Sequence, residues 1–386
     1  MRRVLGFVAI ALGALLIGLG LLARPFMYDR LAIVPLDQET TSVSVGQNMS
    51  VLYPHESEDG AVIDKLTGVT VQNTREVNGI PGIAQEYGVE DTQAFWQSSS
   101  VSRAQVDGEW VDLSYSDSGV SIDRRTGEAT NCCGDYRSTG DLDNPDAVED
   151  ATHEGLVFKF PFNVQKETYQ WWDADLGRAF PIEFQDEEDV FGTTTYRFQQ
   201  VIPDEVVATR EVPASLFEEG LEGNVAADLH YANTRTLWVE PNTGVVIKGE
   251  EEVDKTLQTD GQQPVGFTVG TIGFDDETIQ ANADEWGAKG NLLGLLRGPL
   301  TWYLVIPGLL LVGLGAFLAF MGRSASGDSE YADEATHEEP VAAQPDFEEP
   351  VEPTYEERYP DRTDQFFEEA TAPEAESRTT RRELSE

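Results

Sequence analysis

Charge-free runs and alternating runs divide this chain. Val4–Ala23 and Leu304–Met321 contain no ionisable side chain, and about 20 apolar residues in a helix cross a bilayer core, so each run predicts a membrane helix. Arg2 and Arg3 precede the first run and no small-x-small cleavage pattern comes after it, which points to an uncleaved signal anchor. Basic residues stay on the cytoplasmic side, so both termini are expected in the cytoplasm and the intervening stretch outside. Phe26 and Tyr28, then Trp302 and Tyr303, flank the outer ends of the runs, where amphipathic rings anchor at the interface. Ala14 with Gly18, and Gly315 with Ala319, place small residues four apart. Such spacing suits a close helix pair or an oligomer, or reflects ordinary membrane-helix composition. The expected division is a signal anchor over 1–24, an extracytoplasmic domain over 25–300, a second membrane helix over 301–321 and a tail over 322–386.

Between the runs the period changes to two. Thr41–Val45, Thr194–Phe198 and Thr236–Val239 alternate, and turn residues interrupt such runs at short intervals, the pattern of strands. The expected class is mainly β, a β-rich or α+β ectodomain between two transmembrane helices. Asp64–Gly68, Asp123–Gly127 and Glu240–Gly244 each set an acid ahead of Thr-Gly, which suits a hairpin turn: the carboxylate caps turn amides and glycine takes positive φ. Helix is expected only at Ala214–Leu221 and Asn282–Leu296. Gly287, Gly290, Gly294 and Gly298 argue against a rigid rod in the latter, leaving an amphipathic connector at the membrane surface. Gly140–His153 is the expected long loop between two β subregions.

Charge narrows the function classes. Among 386 residues, 70 are acids and 26 are bases, a net −44, and such a field repels phosphate backbones, so no nucleic-acid partner is expected. The Glu- and Pro-rich tail is poor in branched aliphatics and should be disordered. Phe347, Tyr355, Tyr359, Phe366 and Phe367 punctuate its acids, suiting either a cytoplasmic partner or a merely solvating tail. The only cysteines, Cys132 and Cys133, are adjacent. In an oxidising exterior the expected state is a vicinal disulfide, with interchain links or a redox or metal role as alternatives. His55, His153, His230 and His337 fit no metal, triad or zinc spacing, and acid pairs occur at the density that composition alone gives. No enzyme, metal or cofactor is expected.

The chemistry that stands out is aromatic. Phe158, Phe160, Phe162, Tyr169, Trp171 and Trp172 open a series that runs to Phe198. Rings at this density either fill a β core or line a groove for lipid, glycan or peptide, and these six are the candidate ligand-lining residues.

The motifs also occur in a characteristic order. Asp123-Arg124-Arg125-Thr126-Gly127 leads into Cys132-Cys133-Gly134; Gly155-Leu156, Phe160-Pro161-Phe162, Tyr169, Trp172-Asp173 and Gly192 with Tyr196-Arg197-Phe198 come next, all between two anchors. This order resembles an actinobacterial membrane-protein family of unknown function whose members are often labelled PorA-family porin. The resemblance spans about residues 1–321 and brings no catalytic residues. Its label implies an oligomeric porin or channel, although the alternating runs show no long strand series with an apolar outer face. The layout is also similar to the scavenger-receptor family, which passes lipid through an ectodomain. The expected function is a two-pass cell-envelope protein that binds or passes an apolar or envelope ligand. Its expected partners are membrane lipid, an envelope lipid or glycan, a cytoplasmic partner of the tail and further copies of itself. A porin or channel, and a non-catalytic scaffold acting through the tail, are the alternatives.

Overall fold

The computed structural model describes residues 2–57, 60–138 and 147–320. The tail expected over 322–386 lies outside them, as does the first half of the Gly140–His153 loop. In chain order, α1 (Arg2–Leu22) continues through a π turn (Ala23–Tyr28) into α2 (Asp29–Leu31). Next come β1 (Glu39–Ser57), β2 (Gly60–Gly79), α3 (Pro81–Glu86), β3 (Gln93–Val106), β4 (Glu109–Asp123), β5 (Tyr136–Ser138) and β6 (Val148–Asp150). After them stand β7 (Tyr169–Asp173), β8 (Arg178–Val190), β9 (Thr193–Pro213), β10 (Asn224–Val239), β11 (Val246–Gln258) and β12 (Val265–Phe274). Helices α4 (Asp276–Arg297) and α5 (Pro299–Phe320) end the described chain.

The twelve strands form one antiparallel sheet ordered β6-β5-β4-β3-β2-β1-β12-β11-β10-β9-β8-β7. β1 and β12 meet in the middle, so the chain lays strands outward in one direction and returns from the far edge. Three bridges then join the two sides: Ile122 to Ala129, Glu128 to Leu156, and Leu156 to Trp171. Together they run from β4 to β7 and complete a ring at one end of the sheet.

Strands are longer and more numerous than the alternation suggests, with β1, β2 and β9 at 19, 20 and 21 residues. Pairing shifts at Gly46/Met49, Ser102/Arg103 and Tyr231/Asn233 mark bulges or irregularities. A bulge reverses the facing of the residues beyond it, so one long strand reads as several short runs. The same effect corrects one expected turn. Asp64–Gly68 lies within β2, where Gly68 takes φ +70° opposite the irregular pairing at Met49. The other two are true turns: Asp123 Oδ1 accepts from the amides of Arg125 and Thr126, each at 2.8 Å, and Glu240 Oε2 accepts from those of Asn242 and Thr243 at 3.0 and 2.6 Å.

Helical expectations change as well. Over 214–221 only one 3-10 turn forms, Ala214–Leu216. α4 is continuous over 22 residues, capped by Asp275, whose side chain accepts from Thr278 N. Its glycines do not loosen it; they let it lie close on the ring. A Cβ at Gly294 would meet Asn242 Oδ1 at 3.0 Å, and one at Gly290 would overlap the Glu240 carboxylate. Ile279, Ala283 and Trp286 pack on Val190, Trp238 and Ile247, so α4 is part of the domain wall. Gly298 then separates it from α5, which opens on Pro299, a residue whose missing amide donor is no loss in a helix's first turn.

Inward side chains change character along each strand. On β2 they run Val71, Asn73, Arg75, Val77; on β3 Ala104, Ser102, Ser100, Ser98, Trp96; on β10 Leu229, Tyr231, Asn233, Arg235, Leu237. Apolar clusters thus close both ends of the interior, with a polar belt between them. At its centre Arg235 donates to Glu251 Oε1 at 2.9 Å, Gln200 Oε1 at 2.6 Å and Asp173 Oδ2 at 3.3 Å. Tyr231 donates to Asp173 at 2.9 Å. Burial alone would raise the Glu251 pKa, but the charge and hydrogen bond of Arg235 hold it below the ordinary value. Asp173, buried at 1% exposure, is pushed up by desolvation despite the same guanidinium.

The charge-free helices are long and apolar enough to cross a membrane, and they pair along glycines. Gly6, Gly13 and Gly20 of α1 face Gly315, Gly308 and Thr301 of α5, a spacing of seven on both helices. Gly18, expected at such a contact, faces open space; a seven-residue repeat keeps one seam aligned along a helix pair. A Cβ at Gly13 would lie 2.5 Å from Gly308 O, and one at Gly6 would lie 3.2 Å from Ala319 Cβ. A chain carrying Gly6→Cys and Ala319→Cys should therefore form an intrachain cross-link on oxidation, and adding Gly13→Leu should reduce its yield to background. Undiminished yield would show that the pairing does not depend on close backbone contact.

Candidate functional site

A cavity of about 360 Å³ opens between the connector from α2 to β1, the end of the ring and α4. One wall is the connector from α2 to β1. Its backbone is tied to the Asp123 turn: Val34 N donates to Arg124 O at 2.8 Å, and Arg124 Nε returns a bond to Val34 O at 2.7 Å. Trp96 Nε1 donates to Pro35 O at 3.1 Å. These bonds hold Leu31, Ile33 and Pro35 along the cavity. The facing wall is α4, which supplies Asn282, Trp286, Lys289, Leu292 and Leu293. Strand residues Ser42, Arg75, Val77, Val246 and Phe274 also line it.

The segment after Leu156 crosses the ring end and separates cavity from core. Phe160 N donates to Gly244 O at 2.8 Å and Val164 N to Pro241 O at 2.7 Å, which fixes the segment against the Glu240 turn. Phe158 and Phe162 consequently face the cavity, with Phe158 tilted on Trp96 at 5.4 Å between ring centroids. Phe160 turns away and packs on Tyr169, Trp171 and Phe198, at 5.3, 5.2 and 4.6 Å. Tyr169 and Trp171 stand with it in the core. Trp172, on the opposite face of β7, packs on buried His153 at 4.9 Å. Of the six rings singled out in the sequence, two line this cavity, three share one core cluster, and Trp172 lies apart.

Between the cavity-facing rings sits Lys159, 5% exposed. Its Nζ donates to Phe160 O at 2.6 Å and lies 4.0 Å from the Phe162 ring centroid. Among the described residues no carboxylate pairs with it, and desolvation lowers its pKa to about 7. Arg75 and Lys289 are the other cationic lining residues, and no lining residue is acidic. Sequence reasoning passed over Lys159, Arg75 and the α4 wall. The available signal was a single base inside Phe158-Lys159-Phe160-Pro161-Phe162.

The cysteine pair lies elsewhere. Cys132 and Cys133 are bonded to each other, their Cα atoms 3.7 Å apart, beside Ser121, which receives the Cys132 amide at 2.9 Å. Among the described residues no group of three or more His, Cys, Asp or Glu is placed to hold a metal ion.

Lys159 also yields a stability test. The unfolded chain keeps an ordinary lysine, so it binds more protons than the folded chain between about pH 7 and the usual lysine value of 10.5. Stability should rise with pH across that window. Lys159→Met should flatten this part of the profile, and its melting temperature at neutral pH should equal or exceed that of the parent, because an uncompensated buried charge is removed. Thermal unfolding across the window checks both; a lower melting temperature for the variant would mean that the ammonium is stabilised by a partner.

Two curated proteins are similar to the chain, both named Porin PorA. One, from Corynebacterium amycolatum, is 30% identical over 127 residues, covering 26% of this chain and 33% of its own length. The other, from Corynebacterium resistens, is 24% identical over 277 residues, covering 53% of this chain and 66% of its own length. The chain thus spans a third of the first relative and just under two thirds of the second. The family model described as Porin PorA matches residues 5–317, which take in both apolar helices, the ring and the cavity. By that match this membrane protein belongs to the Porin PorA family.

Proposed function

We propose that the protein is a two-pass envelope protein whose exported β ring takes an apolar envelope ligand, a lipid, from the membrane into the cavity beside its helices. The observation that carries this reading is the position of the cavity. Leu31 and Ile33 lie directly after the first membrane helix, Leu292 and Leu293 precede the second by a few residues, and all four line the cavity. A volume of about 360 Å³ falls within the range of small-molecule sites. An acyl chain enters such a site without crossing water.

The topology in this reading rests on Arg2 and Arg3 on one side and the ring on the other. Protease added to intact spheroplasts should degrade the ring while sparing an epitope fused after Glu386. Loss of the epitope with the ring intact would reverse the orientation.

Ser42 lines the cavity from the inner face of β1 and is part-exposed. Ser42→Trp should fill the space and lower the lipid that co-purifies with the full chain, seen by native mass spectrometry, with little change in melting temperature. Equal lipid in parent and variant would remove the cavity as the binding place.

The family description favours a second reading, a porin or channel. The polar belt inside the ring offers hydrophilic lining for it, but the outer face does not suit a membrane-spanning barrel. Glu76, Asp112, Glu183, Glu252 and Asp254 are exposed on the strands, where a barrel carries an apolar band. A channel on this plan would use helices from several copies. Conductance in planar bilayers that persists in Ser42→Trp would favour it over lipid uptake.

A further inference from the structure

An apolar cavity alone does not explain its cations. Lys159 reaches the lining while nine-tenths buried and without an ion pair among the described residues. Arg75 reaches it from β2, with Nε bonded to the neutral Ser98 hydroxyl at 2.8 Å and the guanidinium 5.6 Å from the Phe158 ring centroid. Burying Lys159 unpaired is costly, and the chain has 70 acids from which a partner was available; Arg75 is half-buried and feels the charge of Glu251 in the polar belt. No acid lines the cavity. A site that keeps Lys159 and Arg75 beside a third base, Lys289, which Glu285 already pairs at 2.6 Å, has no acid in its lining and surrounds them with Phe158, Phe162 and Trp96 is complementary to a molecule with one anionic end and one apolar end.

We propose that the cavity holds an amphiphile whose anionic head, a carboxylate or phosphate monoester, is seated on Lys159 and Arg75 while its acyl chain lies toward Leu31, Ile33 and Leu293. This rests on the reading that the cavity takes a lipid, and adds which chemical class of lipid. The head supplies the counter-charge that the protein withholds from Lys159 and adds to the one that Glu251 gives Arg75. Its charge-assisted hydrogen bonds form away from bulk water, where they are strong. The apolar end meets the lining next to the membrane helices, so no part of the ligand lacks a matching surface.

The test uses the full chain in nanodiscs of zwitterionic phospholipid, titrated with oleate, oleyl phosphate and oleyl alcohol and read by native mass spectrometry. The parent should bind one or both anions about tenfold or more tightly than the alcohol, the factor expected from hydrogen bonds to a charged group. Oleate and oleyl phosphate compared with each other identify which head is preferred. Lys159→Met should abolish the preference while still binding the alcohol; Lys159→Arg should retain most of it. Arg75→Met should weaken the same preference and serves if Lys159→Met fails to fold. Anions and alcohol binding the parent equally would overturn the head-group assignment and leave the lipid cavity standing. A preference unchanged in both methionine variants would overturn the role of these two residues. Binding of none of the three probes would overturn the cavity reading together with this one.

Discussion

A meander of twelve antiparallel strands has two free edges, and here one short piece of chain has to join them. Glu128 and Ala129 extend the β4 side, Leu156 pairs with both Glu128 and Trp171, and the segment immediately after Leu156 crosses the ring end. That segment lies between two turns of the same design. Gly244, at φ +75°, lies against the Phe160 carbonyl, and a Cβ at Gly127, at φ +78°, would come 3.2 Å from Lys159 O. Glycine is required at both positions by conformation and by proximity. With the backbone held on both sides, its side chains have little choice. Phe160 and Val164 complete the core under β7 to β10, and Phe158 and Phe162 complete the one under Val34, Trp96 and Ile122. Ring closure, core completion and the inner wall of the cavity are therefore one constraint.

The interior behind this plug is not a uniform core. Apolar layers at both ends exclude water, and the belt between them must satisfy its own polar groups. Arg235 does most of this, linking Glu251, Gln200 and Asp173. Removing one partner from such a buried network typically costs more than the network contributes, because the remaining charge is left uncompensated. The same rule makes the contrast with Lys159 informative. One buried cation has two carboxylates and an amide; the other has a single backbone carbonyl and an aromatic ring.

Much of the architecture was legible in the sequence for simple reasons. Long charge-free runs encode helices long and apolar enough to cross a membrane, and Thr-Gly after a capping acid encoded the Asp123 and Glu240 turns. The illegible part depends on register. Bulges conceal long strands because they reverse alternation, so Asp64–Gly68 looks like a third turn although it lies inside β2. Glycines in α4 look like helix weakeners because their benefit, close approach to Thr193, Glu240 and Asn242, comes from residues distant in the chain. The contact between α1 and α5 hides in a seven-residue glycine spacing, whereas the four-residue pattern draws attention first. Within the aromatic series, alternation and not density determines which rings face the cavity.

The candidate site was less legible because its defining feature is an absence. A sequence with 70 acids gives no sign that one small volume contains none; only the fold shows which side chains meet. Polar and charged residues are usually kept out of apolar walls by their desolvation cost, and a lysine can escape by extending its head to water. Lys159 does not: the neighbouring rings and the Phe160 carbonyl enclose its ammonium at 5% exposure. Replacement by methionine would preserve most of the side-chain volume and remove the cost, so folding alone does not account for the base at this position. A buried, uncompensated charge beside an open cavity is instead what recognition of an opposite charge requires, since an internal partner would compete with the ligand. In the proposed reading, the cost of leaving Lys159 without a counter-charge in the empty site is what would favour an anionic ligand.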